Sequence, residues 1–362
     1  MTHFLCDILR QPNELQHTID FLCGTGRRRL DEATAAVRNA RHVYLTGIGS
    51  SWHAALSVGP MFSLGARPVY MQDAAELLQF ATLPPDAVIV AISRSGRSVE
   101  IVNLLTKARE SGATVIGVTN SEDGALARDA QISLVVPTKP DHGISVNTYC
   151  TLAAATGALA SATVNSFDIH LAASLSHALA ETQRAMEGWQ QQIAATAWLA
   201  PSSVYYFLAR GASLGSCHEA RLLWEEGVKS PATAMGTGGF RHGPQEMVSK
   251  DIRFGMWIDG QRMREQDLAV GGDLKRLGAS VMLVGQHLPA DAGDLVFQLP
   301  EVPSGWQFLI DIIPAQLAAE SLARLSGVDC DCFSICSYIV EDEYGLLREE
   351  VAASSVVAKD EE

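Results

Sequence analysis

The chain has 362 residues, of which 47% are hydrophobic and 19% charged, and its net charge is −14. That composition is globular rather than disordered and long enough for two cores, while the acidic balance gives no electrostatic drive toward nucleic acid or anionic lipid. No apolar run reaches the roughly 18–20 residues of a membrane helix; the richest stretch, 306–325, is broken by Asp311, Gln316, Glu320 and Arg324. The opening residues lack the charged start, apolar run and cleavage site of a signal peptide. The odd count of 7 cysteines fits a reducing compartment, so a cytoplasmic location is expected. Cys330, Cys332 and Cys336 cluster, but no second pair or matching His pair completes a zinc site.

Residues 1–40 read as helices. Gln11-Pro12 separates an opening turn (Phe4, Leu5, Ile8) from a longer helical segment at about 15–30. Strands and helices then alternate. Strand-like runs fall at 43–46, 68–71, 87–92, 114–118 and 132–136, with helical stretches such as 100–110 between them. A helical connector covers 171–198. The pattern restarts with a strand at 204–208, a helix-like run at 214–226, strands at 254–258, 280–284 and 294–299, and a long helix at 306–325. Alternation of this kind predicts an α/β fold of two similar domains, each a parallel sheet flanked by helices in three layers. The expected units are N-terminal helices 1–40, a first domain 41–165, a connector 166–200, a second domain 201–350 and an acidic tail 351–362 that frays.

Two loops carry the first chemical signal: Gly47-Ile48-Gly49-Ser50-Ser51 after one strand and Ser93-Arg94-Ser95-Gly96-Arg97-Ser98 after another. Each opens a helix, whose N–H groups and positive dipole end favour an anion. Serine hydroxyls beside those groups can wrap a phosphate monoester. A serine N-cap in an ordinary strand–helix loop is the plainer reading of one such loop; two from different strand ends favour the anion. Gly47-Ile48-Gly49 with Asp73 downstream also touches the dinucleotide pattern, but Trp52 stands where the third glycine belongs. Glu219, Leu222, Leu223 and Glu226 follow helical spacing, which places both carboxylates on one side of a helix. A Glu among apolar neighbours is suited to proton transfer, although acids on a helix face more often meet water or pair, here with Arg221 and Lys229. His242, after Gly236-Thr237-Gly238-Gly239, has the chemistry of a proton shuttle near neutral pH.

These residues resemble the SIS (sugar isomerase) family over nearly the whole chain, in particular the isomerase half of glucosamine–fructose-6-phosphate aminotransferase and its stand-alone relatives. Gly49-Ser50-Ser51-Trp52-His53-Ala54 looks like the first phosphosugar loop, Ser93–Ser98 with Glu100 the second, and Ser145-Val146-Asn147-Thr148 a looser third segment. The resemblance implies that Ser50, Ser51, Ser93, Arg94, Ser95, Ser98, Ser145, Thr148, Glu219 and Tyr338 contact substrate. It implies that Glu226 takes a carbon-bound proton, and that His242 assists ring opening from the neighbouring subunit of a homodimer. Where the aminotransferase carries an N-terminal catalytic cysteine, this chain opens Met1-Thr2-His3, so no glutamine hydrolysis is expected. The family's lysine on the Glu helix aligns with Leu223, and its Schiff-base lysine with Tyr338, which forms no imine. The expectation is therefore a deglycase that splits a ketose-amine (Amadori) 6-phosphate without metal or redox cofactor. Aminosugar-phosphate deaminase, aldose–ketose isomerase and a non-catalytic phosphosugar binder are the alternatives; a binder needs neither Glu226 nor His242.

Overall fold

The structure, a computed structural model, describes residues 1–346; the tail expected to fray, and the last residues of the expected second domain, lie outside the described residues. The first sheet contains β1 (His42–Thr46), β2 (Tyr70–Met71), β3 (Ala87–Ser93), β4 (Thr114–Thr119) and β5 (Ile132–Val135), in the order β2-β1-β3-β4-β5. The second contains β6 (Val204–Ala209), β7 (Ala232–Gly236), β8 (Ile252–Ile258), β9 (Ser280–Gly285) and β10 (Leu295–Gln298), in the order β10-β9-β8-β6-β7. Read from its other edge, the second sheet repeats the strand order of the first. Every strand pair is parallel. The fully buried β3 reads Ala-Val-Ile-Val-Ala-Ile-Ser, the continuous apolar run that a strand covered on both faces requires. The fold class is thus the expected α/β arrangement of two similar sheets flanked by helices.

In sheets of this order, ligands bind beyond the carboxyl ends of the strands where the winding reverses, here between β1 and β3. The chain leaves β1 into Gly47–Ser51 and leaves β3 into Arg94–Ser98, so the topology delivers both serine loops to one crevice. The two halves meet through their leading helices, Ser50–Leu64 after β1 and Ser213–Leu223 after β6. They cross at Gly215, where a Cβ would stand 2.0 Å from Ser57 Oγ and 2.3 Å from the His53 carbonyl oxygen. Any larger residue forces the helices apart. Every residue of the helix Asn147–Thr163 is buried, and its many alanines let neighbouring helices approach closely.

Several elements differ from the sequence expectation. Helix His3–Cys23 runs straight through Pro12. Proline cannot donate to the Ile8 carbonyl, and the Gln11 side-chain amide donates to it instead at 3.4 Å. Strand β7 was not anticipated: Ala-Thr-Ala-Met-Gly is a partly exposed edge strand with little β-branched character. The helix expected over 306–325 begins only at Ile313, with Pro314 in its first turn, after the short turn Gln307–Leu309; proline suits a helix start. The 214–226 run is an α-helix only to Leu223, and Trp224–Val228 then form a π-helical turn.

Candidate functional site

A cavity of about 260 Å³ lies at the carboxyl ends of β1 and β3. Ser50, Ser51, Ser93, Arg94, Ser95, Ser98, Ser145, Glu226 and Tyr338 all line it, together with Gly49, Glu100, Gly143, Leu222 and the strap 333–340. Gly49, the N-cap of the helix that leaves the first loop, sits at φ 57° with open space beside its α-carbon, a conformation that glycine adopts without strain. In the second loop, Ser93 Oγ accepts from Gly96 N at 3.1 Å and Ser95 Oγ from Arg97 N at 3.2 Å. Each hydroxyl therefore keeps its own proton to donate. Ser98 precedes the helix Val99–Ser111 without spending its hydroxyl on the cap. These donors, at the positive end of a 13-residue helix, give this wall of the cavity the chemistry that favours an anion. Arg97 is exposed. Arg94 bridges two walls, donating to the Tyr338 carbonyl at 2.6 Å and the Gly143 carbonyl at 3.4 Å.

Glu226 sits in the π-helical turn, a geometry often found at functional sites. Burial pushes its carboxyl from 4.5 up to about 7, and the Glu219 charge adds to the rise. Arg94 and Lys229 oppose the shift. Lys229, in the left-handed conformation at the end of that turn, donates to the Glu226 carbonyl and, at 2.8 Å, to the Cys332 carbonyl. Its ammonium also lies 4.9 Å from the Phe333 ring centroid, so the turn bearing Glu226 is tied to the strap.

Three expected site residues lie elsewhere. Glu219 is only 1% exposed and does not line the cavity. Its carboxylate accepts from Ser50 Oγ at 3.0 Å and meets His53 Nδ1 at 2.7 Å. It supports the first loop from behind, because the wide turn that follows Leu223 carries Glu226 to a different aspect. Thr148 is buried behind Ser145, with its Oγ1 2.8 Å from Ser145 Oγ and 2.6 Å from Asp141 Oδ2. His242 is exposed and outside the cavity. It follows the short helix Thr237–Phe240, and the stretch Gly236–Gly239 before it is the end of β7 and a helical turn.

Sequence reasoning had not singled out His53, which neighbours Glu219 and stacks at 5.8 Å on His218. Burial first, then His53 and Arg221, depresses His218 to about 4. Nor had it identified the strap as a wall. The signal was the density of large side chains between Phe333 and Val340, although Ile335, Tyr338 and Val340 remain exposed. The clustered cysteines are free: Cys330 is buried, Cys332 and Cys336 are exposed, and Cys336 lines the cavity. Among the described residues, no lysine lines the cavity.

The SIS domain family matches residues 36–165. Glutamine–fructose-6-phosphate aminotransferase of Pyrobaculum aerophilum is 26% identical over 352 residues, covering 91% of this chain and 56% of the relative. The Bacillus subtilis enzyme of the same name is 25% identical over 312 residues, covering 83% and 51%. The chain thus spans about half the length of the relatives it matches. Among solved structures, the C-terminal domain of glucosamine-fructose-6-phosphate aminotransferase from Francisella tularensis superposes with TM-score 0.80 at 19% identity, covering 91% of this chain and 98% of that one. Tagatose-6-phosphate ketose/aldose isomerase from Escherichia coli gives 0.78 at 19% identity, covering 93% and 97%. Glucosamine-6-phosphate deaminase from Thermotoga maritima gives 0.75 at 20% identity, covering 94% and 99%. No helix among the described residues is long and apolar enough to cross a membrane.

Proposed function

We propose that this SIS-domain chain is a phosphosugar deglycase, cleaving a ketose-amine 6-phosphate into a hexose 6-phosphate and a free amine. One observation carries the reading: a single cavity joins a serine-built anion site to a carboxyl held near 7, and no lysine lines it. An imine partner must then come from the substrate, and a ketose-amine brings its own nitrogen. Ser51, Ser93, Ser95 and Ser98 hold the phosphate and so fix the reacting carbons beside Glu226. His242 of a second copy opens the sugar ring; its exposure outside its own chain's cavity fits that role. Glu226 takes a proton from C1, next to the C2 carbonyl, and an enaminol forms. Returning a proton to C2 gives a C1 imine. Water adds to C1, the C–N bond breaks, and the amine leaves with the proton it needs.

The second reading is an aminosugar-phosphate deaminase or aldose–ketose isomerase, favoured by the names of the superposing structures. It uses the same carboxylate and the same anion site. A panel of phosphorylated ketose-amines, aminosugars and ketoses separates the two. Release of hexose phosphate with a substituted amine supports the deglycase. Turnover of aminosugar or ketose phosphates alone replaces it with the second reading.

A further inference from the structure

The first helix, His3–Cys23, grips both walls of the cavity without touching it. Its start is capped by Asp331, whose carboxylate accepts from His3 N at 2.7 Å and Phe4 N at 2.8 Å. Asp331 lies two residues before the strap 333–340. One to three turns further along, the same helix clasps the segment 139–147. Asp7 accepts from His142 N at 2.8 Å, and Glu14 accepts from Lys139 N at 3.1 Å. Arg10 donates to the Lys139 and Pro140 carbonyls at 2.9 and 2.8 Å and to Asp141 Oδ1 at 3.1 Å.

Asp141 is the hub of that segment. Its fully buried carboxylate accepts from the backbone N–H groups of Val146, Asn147 and Thr148 at 2.9–3.0 Å. It therefore caps the helix Asn147–Thr163, whose own N-cap residue, Val146, offers no side chain for the task. Between Asp141 and that helix lie Gly143 and Ser145, which line the cavity. The walls then meet: a Cβ on Gly143 would lie 3.3 Å from both the Phe333 and Tyr338 rings. The rod joining them is itself fixed, with Phe4, Ile8, Leu15, Ile19 and Leu22 in the core.

We propose that this helix sets the gap between the two walls, with Asp331 and Arg10–Asp141 as positioning residues for sugar-phosphate binding. The proposal rests on the reading of the cavity as the substrate site. It is tested with Asp331→Ala, Asp331→Asn and Arg10→Met in the full chain, using calorimetric binding of fructose 6-phosphate and chymotryptic cleavage after Phe333 or Tyr338. Asp331→Ala and Arg10→Met are each expected to weaken binding about tenfold, the scale of one lost charge-assisted hydrogen bond. Asp331→Ala also hastens strap cleavage, and Asp331→Asn, which keeps an acceptor oxygen, restores most of both. If Tm falls while binding and strap cleavage match the wild type, the helix serves stability alone and the proposal is overturned. The cleavage arm needs no ligand: if the wild type binds no sugar phosphate, the reading of the site fails with it, whereas normal binding with unaltered cleavage in the variants refutes only the brace.

Discussion

Replacing Glu226 with Gln preserves the shape of the side chain and removes its basicity. The carboxyl stands at about 7 because burial, and then the Glu219 charge, outweigh Arg94 and Lys229. A base of that pKa is ionised in about 9% of molecules at pH 6 and about 91% at pH 8. The ionised form does the work, so kcat/KM rises about tenfold across that interval and is lost as pH falls through 7. Glu226→Gln is expected to lower kcat by at least about 100-fold at pH 8, the scale for losing a general base, and to abolish the acid limb. Its binding of fructose 6-phosphate stays near wild type, since the serine loops are untouched. A second variant probes the cause: Glu219→Gln removes one source of the rise, so its limb moves toward lower pH. The assay is the initial rate of hexose phosphate release across the pH range. A wild-type limb at the ordinary carboxylate value, or a Glu226→Gln rate within a few-fold of wild type, would refute the assignment.

Ser93→Ala combined with Ser95→Ala raises KM strongly for a phosphorylated substrate and changes little for the same sugar without phosphate; equal effects on both would show that the loop serves the fold. Mixing Glu226→Gln with His242→Ala tests the shared site. In the proposed homodimer, random exchange makes about half the pairs mixed, so activity recovers toward about a quarter of wild type, whereas no recovery despite proven exchange places both groups in one chain. Asp311 offers a stability test. It is fully buried, accepts from Ser213 Oγ at 2.7 Å and Ser216 Oγ at 2.5 Å, and is lifted by burial from 3.8 to about 7. The folded state keeps this proton to higher pH than the unfolded chain, so its contribution is fully present below the unfolded value and is lost as pH rises through 7, by roughly 4 kcal/mol. In urea unfolding at a series of pH values, Asp311→Asn removes that part of the pH slope, and an unchanged slope contradicts the account.

Much of this architecture was legible because it is encoded locally. Alternating β-branched runs marked most of the strands, and serines after two of them marked loops that the topology must bring to one crevice. The residues that escaped depend on long-range contacts. Glu219 and Glu226 share a helix spacing, yet one is buried against Ser50 and His53 while the other opens on the cavity, because a π-helical turn intervenes. Propensity does not announce such a turn. Pro12 reads as a helix break, and only the Gln11 amide explains why it is not. Strand β7 exists because β6 pairs with it, from Tyr205 against Ala232 to Ala209 against Gly236. The strap closes the cavity through Arg94 and Lys229, partners more than 100 residues away in the sequence.

The central claim is that one cavity couples phosphate recognition to carbon–nitrogen cleavage by Glu226. Its most direct test follows hexose 6-phosphate and free amine together from a single ketose-amine 6-phosphate, with wild-type protein and with Glu226→Gln. The account predicts equal molar release of the two products by the wild type, near-complete loss in the variant, and much slower turnover of the unphosphorylated ketose-amine. Amine released without hexose phosphate, or equal rates from the two proteins, would contradict it.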